Sequence, residues 1–325
     1  MRKKLTILAV TVILLAGGAY LAVSYVLYDK LTSVRDGCQT PLPNRPDNFS
    51  DRSGFWRDDF DYAAYFMPGY ESVRFPSRDA DFTIAGWYVE NAPDAPVVIV
   101  VHGLGSCKNA ITVLVPAGML YKAGFNVLML DMRDVNESDY EDGRFAVGNE
   151  EYLDVLGGWD WLVNEKGIPP ERIGMMGNSL GAATTLIAFS QEPRLAAVFV
   201  DSPFDNLPQI INEELDRNNY PRFLTPGGIL MARLVAGDNV LAHNPYEAIE
   251  NANGRPLYIL HGTGDTRINV RHSIQLQQRA EAVGANGTFW FPDGVEHVHA
   301  ASELTGEYEQ RLITFFGENL GGGGR

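Results

Sequence analysis

Cysteine is scarce in this 325-residue chain, which has only Cys38 and Cys107. Two thiols are too few for a disulfide framework, and no C-x-x-C pair or Cys/His cluster with metal-ligand spacing occurs. In an oxidising compartment the two can pair with each other; equally, they can be unrelated. Positive charge is in deficit too. Lys and Arg number 26 against 41 Asp and Glu, a formal net charge of -15, and that balance repels nucleic acid and anionic membrane surfaces alike. No segment repeats, and the only low-complexity run is the glycine tract at 321–324. A disulfide-stapled mini-protein, a repeat array and a nucleic-acid-binding module are therefore excluded. What is present is enough apolar material, 45% of residues, to bury a full core.

One segment lacks charge altogether. Arg2, Lys3 and Lys4 precede an uncharged run from Leu5 to Tyr28, which as a helix spans roughly 36 Å at about 1.5 Å per residue, enough to cross a hydrocarbon core of about 30 Å. The run exceeds the apolar stretch of about 7–15 residues usual in a signal peptide. Ala19 and Ala22 leave cleavage open, but the length favours an uncleaved transmembrane anchor over residues 1–28. The charge bias puts the N-terminus in the cytoplasm and the globular part outside it. Residues 29–68 read as a spacer that partly packs on the domain, 69–320 as the domain itself, and 321–325 as a flexible tail.

Within the domain, strand and helix signals alternate, the pattern of an α/β fold. Strand-like runs lie at 70–76, 82–90, 96–101, 125–130, 172–176, 195–200, 256–260 and 287–291, and helical stretches at about 109–123, 150–166, 180–191, 271–283 and 307–319. The runs at 97–101 and 127–130 are continuously apolar, as expected of parallel strands buried on both faces. A mostly parallel eight-stranded sheet with helices on both faces follows. The segment 206–253 interrupts the alternation, with helical character at 208–216 and 227–236, and reads as a small helical lid.

The chemistry centres on Gly177-Asn178-Ser179-Leu180-Gly181. It lies between a strand and a helix, where so tight a turn strains its central residue and needs small neighbours two positions either side. Such a turn lifts a serine oxygen above the sheet edge, at a helix N-terminus that favours negative charge. A nucleophilic serine needs a base, an acid to orient it, and donors for an oxyanion. His102-Gly103-Leu104-Gly105 ends the third strand, and the Leu104 amide can point where the Leu180 amide points; His102 itself reads as a structural residue. For the acid, Asp265 after the seventh strand is preferred, with Asp201 after the sixth as runner-up. For the base, His297 is preferred and His299 is the alternative, while His243 and His272 carry no catalytic expectation.

Taken in chain order, H-G-L-G at 102–105, L-D-M-R at 130–133, G-N-E-E-Y-L-D at 148–154, G-N-S-L-G at 177–181, L-H-G-T-G-D at 260–265 and G-V-E-H at 294–297 resemble the α/β-hydrolase superfamily over about residues 70–320. The likeness is to membrane-anchored or secreted bacterial serine hydrolases near the dienelactone-hydrolase and prolyl-oligopeptidase branch. It implies an acyl-enzyme on Ser179 with His297 as base and Asp265 as its partner. The spacing from His297 to Glu307 and Tyr308 resembles the family's ending and supports His297 over His299. One departure stands out. The family's D-x-R-x-H-G-x-S stretch reads Asp131-Met132-Arg133-Asp134-Val135-Asn136-Glu137-Ser138 here, which puts that loop's shape in question. The expected activity is hydrolysis of an ester, or of a thioester or amide, with peptidase and acyltransferase as alternatives and a non-catalytic binding protein behind them. The expected partners are a small acyl substrate or a peptide, and a membrane through the N-terminal helix. No metal or organic cofactor is expected.

Overall fold

The computed structural model describes residues 2–34, 44–50, 57–78 and 82–321. Cys38 and most of the terminal tail lie outside the described residues, although Cys107 is not a free thiol. The eight strands are β1 (Glu71–Pro76), β2 (Thr83–Val89), β3 (Val97–Val101), β4 (Asn126–Leu130), β5 (Ile173–Asn178), β6 (Ala197–Asp201), β7 (Leu257–Leu260) and β8 (Gly287–Trp290). They form one sheet in the order β1-β2-β4-β3-β5-β6-β7-β8. β2 pairs antiparallel with β1 and with β4; every other pair is parallel.

The continuous apolar strands are explained by burial on both faces. Val98 and Val100 pack with Val127, Met129 and Phe199 on one face, against α2 (Ile111–Lys122) and α10 (Thr305–Asn319). Their neighbours Val97, Ile99 and Val101 pack with Leu128, Leu130 and Val198 on the other, against α3 (Glu151–Asn164), α4 (Leu180–Gln191) and α8 (Arg271–Val283). A period of two along the strand thus feeds two separate cores. This is the α/β-hydrolase fold.

The chain leaves β3 toward β4 on one side and returns to β5 on the other, so the sheet order reverses there. Loops leaving neighbouring strands on opposite sides open a crevice at their carboxyl ends, where open α/β sheets bind ligands. Over that edge lies the segment between β6 and β7. It contains α5 (Leu207–Arg217), α6 (Thr225–Met231), a π-helical turn at Ala232–Ala236 and the short α7 (Glu247–Glu250).

The N-terminal helix α1 runs from Arg2 to Thr32. It is long and apolar enough to cross a membrane. Its first turns project clear of the domain, whereas Ser24, Leu27, Tyr28 and Thr32 are buried. Parts of the following segment also join the core, with Phe49, Tyr65 and Met67 buried against α2.

Candidate active site

Ser179 occupies the turn between β5 and α4 with φ 54° and ψ -121°, a conformation that costs a non-glycine residue about 1–3 kcal/mol. The Ser179 amide donates to the Asp201 carbonyl at 2.9 Å, which ties the strained residue to β6. The flanking glycines have a steric cause. A Cβ at Gly177 would overlap the Gly181 carbonyl, and one at Gly181 would overlap the carbonyls of Val101 and His102. The elbow closes only because neither position carries a side chain. Leu180 is the first residue of α4, and the first amides of a helix have no intrahelical acceptor.

The loop after β3 lies against this elbow. A Cβ on Gly103 would sit 2.9 Å from Asn178 Oδ1 and 3.2 Å from Ser179 Cβ, so the Leu104 backbone passes close to the serine. His102 is fully buried. Its Nδ1 faces the Gly103 carbonyl at 2.9 Å while its Nε2 accepts from the Met132 amide at 3.1 Å. Those partners assign the proton to Nδ1, and burial holds the ring below the usual histidine range. It is a clamp on the loop, as its place in the sequence suggested.

A buried ion pair that the sequence did not disclose holds the same loop from below. Lys108, wholly buried, bonds Asp131 at 2.5 Å and Glu137 at 2.7 Å, and its ammonium lies 4.8 Å from the centre of the Trp87 ring. Asp131 also accepts from the Lys108 amide at 2.8 Å and from Asn136 Nδ2 at 2.9 Å. A lone lysine in a loop gives no periodic signal by which to foresee this. The departure at 131–138 is resolved here as well. Asn136, standing where the family pattern has glycine, adopts φ 50°, a left-handed conformation that asparagine tolerates better than most residues.

The two acid candidates separate cleanly. Asp265 Oδ2 lies 2.6 Å from His297 Nδ1 and 3.1 Å from His261 Nε2, while Oδ1 accepts from the amides of Arg267 at 2.8 Å and Ile268 at 2.7 Å. Burial alone would raise this carboxyl, but the bonds from His261, His297 and Ile268 outweigh it and hold the group far below the carboxylate range. With Nδ1–H given to Asp265, His297 keeps its Nε2 lone pair. His261 also faces the Ile268 carbonyl through Nε2 at 2.9 Å and Ser273 Oγ through Nδ1 at 2.7 Å, so Nε2 carries its proton. It is a second support for Asp265.

Asp201, by contrast, is bonded by the Ser202 hydroxyl at 2.9 Å, and burial pushes its carboxyl up to about 7. Because the folded value lies above the ordinary one of 3.8, folding retains a proton at Asp201. That stabilisation is fully present below about pH 4 and is lost as pH rises to about 7. Asp201→Asn is therefore expected to gain a few kcal/mol over the wild type between pH 5 and 7.5, read from urea midpoints; equal pH slopes would contradict it. Among the other histidines, His299 faces Glu303 at 3.3 Å at the start of α9 (Ala300–Glu303), His243 faces Glu247 at 3.5 Å, and buried His272 lies between Asp205 at 2.5 Å and Glu213 at 3.1 Å.

Ser179, His297, Leu104 and Leu180 line one cavity of about 710 Å³, within the roughly 300–1,000 Å³ of small-molecule sites. Asp265 lies buried behind His297. Two β-branched residues on the cavity wall, Val147 and Val298, hold φ of 56° and 61°, strain of the kind that gathers at functional sites.

Comparison with known proteins bears on the family and the fold. The sequence pattern of the prolyl oligopeptidase family matches residues 116–323. An uncharacterised protein, YfhR of Salmonella typhi, is 25% identical over 260 residues, covering 75% of this chain and 80% of that protein. Among solved structures, an esterase of Pyrococcus furiosus superposes with a TM-score of 0.64 at 23% identity, covering 86% of this chain and 98% of that one. An acylaminoacyl peptidase of Pyrococcus horikoshii superposes with a TM-score of 0.58 at 19% identity, covering 78% of this chain but 42% of that one.

Proposed function

The chain belongs to the prolyl oligopeptidase family, and from that premise we propose that it is a serine hydrolase that opens an ester bond through an acyl-enzyme on Ser179. The observation that carries the reading is one cavity holding both a strained elbow serine and a histidine whose Nδ1–H is held at 2.6 Å by a buried aspartate. In this reading His297 Nε2 takes the Ser179 proton as Oγ attacks the acyl carbon, and Asp265 stabilises the imidazolium that forms. The amides of Leu104 and Leu180 receive the oxyanion, each such donor contributing roughly 3–4 kcal/mol to the barrier. His297 returns the proton to the leaving alcohol, and water then releases the acid.

Ester chemistry is favoured over amide chemistry by the apolar wall of the cavity. It is also favoured by the extent of the likenesses, which cover nearly all of the Pyrococcus furiosus esterase and less than half of the acylaminoacyl peptidase. Amide cleavage is the second reading, supported by the family's own name. Turnover of matched ester, thioester and peptide substrates, with a fluorophosphonate adduct mapped by mass spectrometry, decides between them. The expected result is fastest release from the ester and an adduct on Ser179. An adduct on another residue would remove the reading, and faster peptide cleavage would transfer it to the peptidase side. We further propose that α1 is an uncleaved anchor with its N-terminus in the cytoplasm, on the strength of the Arg2-Lys3-Lys4 cluster before it.

A further inference from the structure

The cavity at Ser179 has one wall that the hydrolytic chemistry does not require, the end of α1. Leu27 and Tyr28, both buried, and half-buried Leu31 line it together with Ile210 and Ile211 of α5 and Ile229 of α6. Two turns earlier, the Tyr20 hydroxyl donates to the Phe223 carbonyl at 3.0 Å, and the two rings stack with centres 6.2 Å apart. Ser24 is buried against α6 where Gly227 has no side chain to hold the helices apart. From Tyr20 onward α1 is part of the lid's packing.

Length then places the lid. Residues 5–19 of α1 stand clear of the domain and as a helix span only about 22 Å, against a hydrocarbon core of about 30 Å. A crossing that starts at Leu5 needs about 20 residues and ends near Ser24, beside Gly227 and Phe223. The lid therefore meets the bilayer surface instead of standing away from it. Its outer side suits that position, with Phe223 66% and Leu234 65% exposed. Large apolar residues gathered beside a membrane helix are buried by lipid where water would leave them exposed.

We propose that the enzyme takes its substrate directly from the membrane: a long-chain lipid ester whose acyl chain lies along Leu27, Tyr28 and Leu31 with its carbonyl at Ser179. This rests on the hydrolase reading above and names its substrate class. The ester C–O bond breaks as the acyl carbon bonds Ser179 Oγ, and the lipid alcohol leaves with the proton carried by His297. Water then adds its hydroxyl to the acyl carbon and returns a proton to Oγ, giving a free fatty acid. The net charge of -15 suits a neutral or zwitterionic surface better than an anionic one.

The test uses the full chain reconstituted in phosphatidylcholine vesicles carrying monopalmitoylglycerol, with a soluble butyrate ester measured alongside. Palmitate release is expected to follow the mole fraction of monopalmitoylglycerol in the bilayer, not its bulk concentration. Leu27→Trp, which fills the α1 wall, is expected to lower the ratio of palmitate to butyrate turnover at least tenfold. Fluorophosphonate labelling reports whether that variant keeps a folded site, and Leu31→Trp replaces it if it does not. Release that tracks bulk concentration, or an unchanged ratio, overturns the proposal. Butyrate turnover without palmitate release also overturns it while leaving the hydrolase reading intact; loss of both substrates counts against the hydrolase reading itself.

Discussion

Ser179→Ala is expected to lower kcat on a short ester by about 10⁶-fold, to the level that binding and oxyanion stabilisation alone supply. The same variant should lose fluorophosphonate labelling. Its fold should survive, because alanine keeps the Cβ that the elbow already accommodates at φ 54° and removes only the hydroxyl. The backbone bond from residue 179 to the Asp201 carbonyl is untouched, so the thermal midpoint should stay where it is. Turnover within tenfold of the wild type, with that midpoint unchanged, would place the nucleophile elsewhere.

Asp265→Asn should lower kcat by about 10⁴-fold, and the reason lies in which way the amide must face. Oδ1 accepts from two backbone amides, at 2.8 Å from Arg267 and 2.7 Å from Ile268, so an asparagine has to keep its carbonyl there. Its NH2 then occupies the position of Oδ2, 2.6 Å from His297 Nδ1. A donor in that place makes Nδ1 the acceptor and moves the ring's proton to Nε2, the nitrogen required as base. The same NH2 also meets the N–H of His261, a donor against a donor. Steady-state kinetics should show the loss in kcat with the fold retained, while Asp201→Asn keeps most of the activity. The reverse ranking would make Asp201 the partner of the base.

Much of this architecture was legible beforehand, for a reason that can be stated residue by residue. Strands such as Val97–Val101 are apolar throughout because both faces are buried, so composition alone marks them. The elbow was legible because a side chain at Gly177 would overlap the Gly181 carbonyl, a constraint within five consecutive residues, although Gly181 itself is kept bare by the distant carbonyls of Val101 and His102. The positions that escaped depend on distant partners. Lys108 and Asp131 are 23 residues apart and carry no local pattern. His261 follows β7 with no pattern to tie it to the Asp265 carboxylate, which turns back against it. α1 is apolar on every side, so nothing in its periodicity marks Leu27, Tyr28 and Leu31 as the wall of a cavity.

Returning to the serine, the sequence by itself marked Ser179 as the candidate nucleophile and gave its strand-turn-helix setting, because strand burial and much of the elbow's steric demand are written in neighbouring residues. It also limited the acid to Asp265 or Asp201 and the base to His297 or His299. Only the tertiary structure decided which of these meet. Asp265 reaches His297 because the loops leaving β7 and β8 turn toward each other over the sheet edge, whereas Asp201 is buried and, among the described residues, its carboxylate has only the Ser202 hydroxyl to bond. What the site encloses was also a tertiary matter, since the wall of the Ser179 cavity comes from a helix about 150 residues away in the chain, held there by the packing of Tyr20, Ser24 and Leu27 on the lid.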